Sequence, residues 1–520
     1  MSLRTRREVF SDIGKGMFTA ALGCGLAADL GLAPAWAGDE PSRLTFGDLE
    51  PLVAYLQDTP ANKMLPGVVE KLRTGTNLEQ LVAAAALANA RTFGGEDYVG
   101  FHTLMALPPA YYMALEETRE DRKPLALLKV LYRNSTRLGE RGGSKGEVLH
   151  SVTPGPVASS PQPGEQLRDT VRQKDLNTAE GLFAGISHGH TPQAALDQLM
   201  MMVDDGAEVH RIVLVWRSWD LIDFVGKERA HTLLRQSVHY CVKSEQNPTY
   251  HQEARAILPK VLDQYHLLGM KPGTKSADDA WVAKFADTLF TSTPAQAADA
   301  AAAAIAEGIT ADAITQAIAL AANQLLLRDE GRPKEWTSPG KPVGSIHGDS
   351  IGVHACDSAN AWRNLSRAGD RRTQVTSLIL GAYQVARDRM PRAAEFAKWE
   401  PYPRAEHLEK VRGIPVENLL KELDGAIREK DQARAAALTH RIGQESPDRF
   451  ADVFGLFRGF AVSEDGALHA EKYYRTTSEE FRAARPAFRW RQLVALSRVT
   501  ASEYGQPAPG YKESCDLVKG

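Results

Sequence analysis

Between Ser345 and Ser358 the chain reads Ser-Ile-His-Gly-Asp-Ser-Ile-Gly-Val-His-Ala-Cys-Asp-Ser. This places His347, Asp349, His354 and Asp357 within one short segment. Imidazole and carboxylate at such spacing suit metal ligation or general acid/base chemistry. On a helix, His354 and Asp357 are three apart and share a face. His347 and Asp349 fall in the Gly-containing approach to that helix. Cys356, two positions from His354, points in a different direction, which argues against a cysteine nucleophile served by that imidazole. The competing reading is structural: His347 and Asp349 stabilise the loop, and His354 hydrogen-bonds between two helices.

The segment has echoes. A His opens the corresponding helix in Val99-Gly-Phe-His102, Ala207-Glu-Val-His210 and Ile351-Gly-Val-His354. Each is followed about thirty residues later by a Tyr, namely Tyr132, Tyr240 and, one short, Tyr383. A fourth unit has no His at the equivalent place, near Asp448-Arg449. It has a later one, because His231 and His469 fall at matching distances in their units. A metal site built from His347, His354 and Asp357 would be completed by His102, His210 or His231. Pseudo-symmetry should bring His102 and His354 toward one cavity. A gap of more than about 12 Å between their rings would exclude a shared ion, whose bonds to nitrogen are near 2 Å.

Other residues invite chemistry less directly. Trp216-Arg217-Ser218-Trp219-Asp220 and Asn360-Ala-Trp362-Arg363-Asn364 place Trp beside Arg about two helical turns past a repeat His. Such a Trp could line a pocket and the Arg hold an anion; the alternative is a buried indole covered by an Arg stem. His188-Gly-His190 can chelate, but it precedes Thr191-Pro192, a helix start, and reads equally as capping. His239-Tyr240-Cys241 reads as packed structure. No Gly-x-Ser-x-Gly and no phosphate-binding Gly loop is present.

The elements that must position these residues are helices. Ala-rich amphipathic stretches run over Leu78–Ala90, Thr191–Val203, Ala295–Ala306, Ala311–Leu327 and Asp431–His440, and strand-like alternation is scarce. Four segments, at Gly75-Thr76, Gly185-Ile-Ser187, Gly308-Ile-Thr310 and Gly413-Ile-Pro415, read as a Gly ending one helix before Thr, Ser or Pro opens the next. The spacing predicts an all-α chain of about four stacked helical units in two lobes, 44–270 and 271–505, with a tail at 506–520. Residues 142–165 and the Pro272-Gly-Thr-Lys-Ser stretch read as linkers. The polar insertion Asp329–Gly344, just before the His-rich segment, reads as a functional loop.

The first 37 residues read as an address. Arg6-Arg7 lies in a basic leader, a moderately apolar stretch follows, and Ala35-Trp36-Ala37 offers a cleavage site. Twin-arginine export to the periplasm or beyond is expected, with cleavage after Ala37; Cys24 offers a weaker lipidation alternative. That route carries folded proteins and suits a cofactor inserted beforehand. No apolar run is long enough for a transmembrane helix in the remainder. A formal charge of −3 over 520 residues argues against a dedicated nucleic-acid binder. Beyond the leader only Cys241, Cys356 and Cys515 remain, with no CxxC, which excludes a disulfide scaffold and thioredoxin-like sites.

The Gly-Ile-Thr start and the helix after it (Gly308–Leu327) resemble the carboxymuconolactone decarboxylase and alkylhydroperoxidase-like fold. That family's redox members use a CxxC, so the resemblance implies a helical fold and not their peroxidase route. Gly100-Phe-His102-Thr-Leu-Met-Ala and Gly352-Val-His354-Ala-Cys resemble questin oxidase-like proteins. As a whole the chain is similar to bacterial helical proteins with a twin-arginine leader, a likeness that transfers no activity.

The expected function is an exported metal-dependent enzyme, an oxidoreductase acting on a small molecule. The expected metal ligands are His347, His354, Asp357, His102 and His210, for zinc, iron, copper or manganese. Asp349 is expected to orient a ligand, and Arg363, with Trp362, to border the substrate. The alternative is a helical-repeat binding or scaffold protein with structural histidines.

Overall fold

Asn77 opens the first long buried helix, α1 (Leu78–Phe93), through a capping box with Gln80. Its side chain accepts from the Gln80 amide, and Gln80 returns the bond to the Asn77 amide. Gly94, in the left-handed region at φ 55°, ends the helix. The pattern of capped start, apolar run and sharp stop recurs along the chain. A computed structural model describes residues 42–159 and 162–519. The leader, its cleavage site after Ala37 and Cys24 lie outside the described residues.

The described secondary structure is helical, and strand-type pairing is limited to isolated bridges such as Arg43 with His150. After α1 come α2 (Tyr98–Glu116) and α3 (Leu125–Glu140), then α4 (Pro192–Val203), α5 (Val209–Asp220) and α6 (Gln236–Ser244). The second half supplies α7 (Ala311–Arg328), α8 (Ile351–Ala368), α9 (Arg371–Arg389), α10 (Gln432–Glu445), α11 (His469–Ala483) and α12 (Arg489–Glu503). Helices α2, α5, α8 and α11 form a closed ring, with α2 on α5, α5 on α8, α8 on α11 and α11 back on α2. Around that ring, α1 and α3 flank α2, α7 and α9 flank α8, and α12 covers α11. The ring helices α2 and α8 are buried over most of their length; α2 is apolar beyond one stripe, whereas α8 buries Asp357, Ser358, Asn360 and Arg363 among its apolar residues.

One helix-stop expectation fails. Gly185 does not end a helix; the helix runs from Leu176 to Gly189. Its glycine serves close approach instead. A Cβ there would lie 2.3 Å from the Gly155 carbonyl oxygen, so the 142–165 segment packs directly on this helix. Among the described residues no helix is long and apolar enough to cross a membrane.

Candidate functional site

Each ring helix carries a histidine in its first turn or just beyond it, and the four rings meet. Asp97 caps α2 by accepting from the Gly100 amide, Glu208 caps α5, and Ser350 caps α8. The start of α11 is built differently. Ala467 and Leu468 both adopt the left-handed region, φ 48° and 66°, and turn the chain so that His469 begins the helix. Two such non-glycine residues cost roughly 1–2 kcal/mol each. The fold sustains this at the point where a fourth imidazole is delivered.

The ring centroids are 4.9 Å apart for His102 and His210, 5.7 Å for His210 and His354, 5.3 Å for His354 and His469, and 5.2 Å for His469 and His102. This four-membered circuit keeps the His102 and His354 rings inside the limit of about 12 Å for a shared ion. Two of the imidazoles are fixed through Nδ1. His102 Nδ1 is 2.7 Å from the Tyr98 carbonyl oxygen, and His210 Nδ1 is 2.7 Å from Glu208 Oε1. A donor role for each Nδ1 leaves each Nε2 with a lone pair. Both of these Nε2 atoms are buried without a hydrogen-bond partner among the described residues. His354 Nε2 and His469 Nε2 face each other at 3.2 Å. Two nitrogens bound tetrahedrally to one zinc-like ion would lie roughly 3.3 Å apart. As the side chains stand, no group of three or more His, Cys, Asp or Glu among the described residues is set out to hold a metal ion.

The surroundings favour neutral rings at His102, His354 and His469. Burial, with the neighbouring Lys472 ammonium and the other imidazoles, pushes His102 and His469 far below the ordinary imidazole range. Burial first, then His210 and Lys472, lowers His354 to about 3. Burial pushes Glu208 up, but bonds from His210 and Tyr240 outweigh it and bring the carboxyl to about 2. Tyr98 forms the solvent side of the cluster. Its ring is 58% exposed and lies 4.4 Å from His102 and 5.5 Å from His210. On the inner side Lys472 is lowered to about 8, chiefly by burial, near Asp357 and Glu471.

The other residues singled out in the sequence are placed apart from this circuit. His347 is buried beside His469, with Nδ1 3.6 Å from Glu503 and 3.7 Å from Asp349, both longer than a hydrogen bond. Asp349 therefore does not orient it by a direct bond; its carboxylate is clamped by Arg332 at 2.5 Å and Lys341 at 2.6 Å, both from the polar insertion. Asp357 accepts from Thr476 Oγ1 at 2.7 Å and faces Lys472. Arg363 is 2% exposed and pairs with Glu480 at 2.9 Å, while the Trp362 indole donates to Gln384. Both side chains are buried in these contacts. His231 stacks on Phe183 at 5.6 Å and lines a separate cavity with His188 and His190.

Sequence reasoning placed the fourth unit's His near Asp448-Arg449 and found none. The helix Phe450–Ser463 lies between that place and α11, whose first residue is His469. Matching distances to His231 were a signal for this residue, although His231 itself stands elsewhere. Gly348 explains the glycine before α8: a Cβ there would lie 2.2 Å from the His469 Cβ, so the loop seals the fourth ring.

No protein-family description, curated protein or solved structure matches this chain. The resemblances noted in the sequence stand on their residues alone.

Proposed function

We propose that the four-helix ring is a transition-metal centre held by His102, His210, His354 and His469, in an exported metal-dependent oxidoreductase. One observation carries the reading. Two buried imidazoles, His102 and His469, and two half-buried ones, His210 and His354, converge from four distant parts of the chain, and the Nε2 atoms of His102 and His210 have no partner among the described residues. Burying a polar atom unpaired costs about 1–3 kcal/mol, and the fold does so twice at one point. Small ring rotations would be needed to bring all four nitrogens around an ion. A set of neutral imidazoles suits copper, zinc or iron better than magnesium or calcium. The Glu208–His210 pair is the kind of carboxylate–histidine contact that orients metal ligands. On this reading the chain is four helical units in two lobes, 44–270 and 271–505, each unit contributing one histidine. His347 and Asp357 then shape the surroundings without ligating.

A second reading has its own support. Because no described group is already arranged for a metal, the chain is alternatively a helical-repeat scaffold whose histidines are structural. Elemental analysis of protein from its native compartment separates the two. Stoichiometric metal, lost in both His354→Ala and His469→Ala, supports the centre. Metal-free protein whose melting temperature does not respond to added zinc or copper supports the scaffold, since any ligand binding only the native state must raise it.

A further inference from the structure

The Trp216–Asp220 motif remains outside the histidine cluster. Trp216, Trp219 and Asp220 of α5 line a cavity of about 360 Å³ with Pro192 at the start of α4, Asp223 and Lys227. A second cavity of about 190 Å³, lined by His188, His190 and Glu228, shares Pro192 and Lys227 with it. The two form one cleft along the α4 start. Its size reaches the lower end of small-molecule sites.

We infer that this cleft binds a neutral saccharide. Both indoles supply flat apolar surface against which the C–H face of a sugar ring can pack. The Trp216 Nε1–H is buried and has no partner among the described residues, so hydrogen bonds to a sugar come from the exposed rim of the cleft. The charges select against an ionic ligand. Asp220 is already paired with Arg217 at 3.2 Å. Glu228 is paired with Arg229, which leaves Asp223 and Lys227, both exposed and of opposite sign, as acceptor and donor for hydroxyls. A quaternary ammonium would meet the Lys227 cation, and an anion would meet Asp223. The site is for binding; no bond is made or broken there.

Tryptophan fluorescence and calorimetry of the full-length protein against glucose, galactose, maltose and cellobiose, with choline and sulfate as charged controls, test this. At least one sugar should bind saturably, with affinity falling more than tenfold in Trp219→Ala and at least threefold in Asp223→Asn. The exposed Asp223 site keeps the test valid should Trp219→Ala fail to fold. Absence of saturable binding by all four sugars overturns the inference. So does binding of choline or sulfate alone, or sugar binding that Asp223→Asn and a folded Trp219→Ala leave unchanged.

Discussion

His354 is held neutral, as are His102 and His469, and this has a sign for acid stability. The folded His354 takes a proton only near about 3, whereas an unfolded histidine takes one near 6.5. Below pH 6.5 the unfolded chain therefore binds protons that the native chain refuses, and stability falls with pH. Metal-free protein should melt several degrees lower at pH 5 than at pH 7. His354→Gln should lessen the drop by about 2 kcal/mol, read from chemical denaturation at the two pH values. An unchanged drop would mean that His354 is not buried as a neutral ring. Glu503 acts in the opposite direction. It is fully buried, accepts from the Gly348 amide at 2.7 Å, and is raised to about 8 by desolvation. A carboxyl raised in the folded state contributes stability that is lost as pH climbs from about 4.5 to 8. Between pH 6.5 and 8.5, above the range in which His354 titrates, Glu503→Gln should flatten the loss of melting temperature seen in the wild type. At this scale the sequence was informative about residue type and spacing: His102, His210 and His354 were legible because each opens a helix in the same local phrase. The roles of Asp357 and Arg363 were not legible, because their partners Thr476 and Glu480 are over a hundred residues away.

Helix α5 shows how one element serves both packing and site. Glu208 accepts from the amides of His210 and Arg211, takes a bond from the Tyr240 hydroxyl at 2.6 Å, and steadies the His210 ring. Glu208→Ala should cost about 1–2 kcal/mol of stability through the lost cap. It should also weaken zinc or copper binding ten- to a hundredfold, measured by competition with a chelator. A cap loss with unaltered metal affinity would confine Glu208 to structure. Most helices were legible from periodicity and punctuation, with α1, α4 and α7 lying within three residues of the stretches expected from apolar spacing. The Phe450–Ser463 helix separates His469 from the place near Asp448-Arg449 where the spacing looks for a histidine, since an amphipathic helix carries no local mark of its place in the fold. Gly185 misled for a related reason: a glycine that admits a neighbouring backbone looks, in sequence, like one that stops a helix.

Across the whole molecule, the ring closes where the first part of the chain meets the last. Lys129, on α3, lies 2.7 Å from Glu471 of α11, with both side chains almost entirely buried, and also donates to the Ala461 carbonyl at 2.8 Å. Tyr474 donates to Glu116 at 2.6 Å along the same seam. Removing one partner of such a pair leaves a stranded charge, so Lys129→Met should destabilise by about 3–5 kcal/mol in denaturant titration. The double variant Lys129→Met with Glu471→Gln should recover much of it; equal loss in both would show that the pair is not coupled. Helical class could be inferred from one sequence, but this seam could not, because nothing local marks residues that meet across 332 positions. The seam also gives the chain a clock. While the ribosome is still adding the last units, Lys129 has no buried counter-charge and the ring lacks one side. A truncated product would therefore present an open, charged cleft to proteases and chaperones, and chain completion becomes a condition that the fold itself checks.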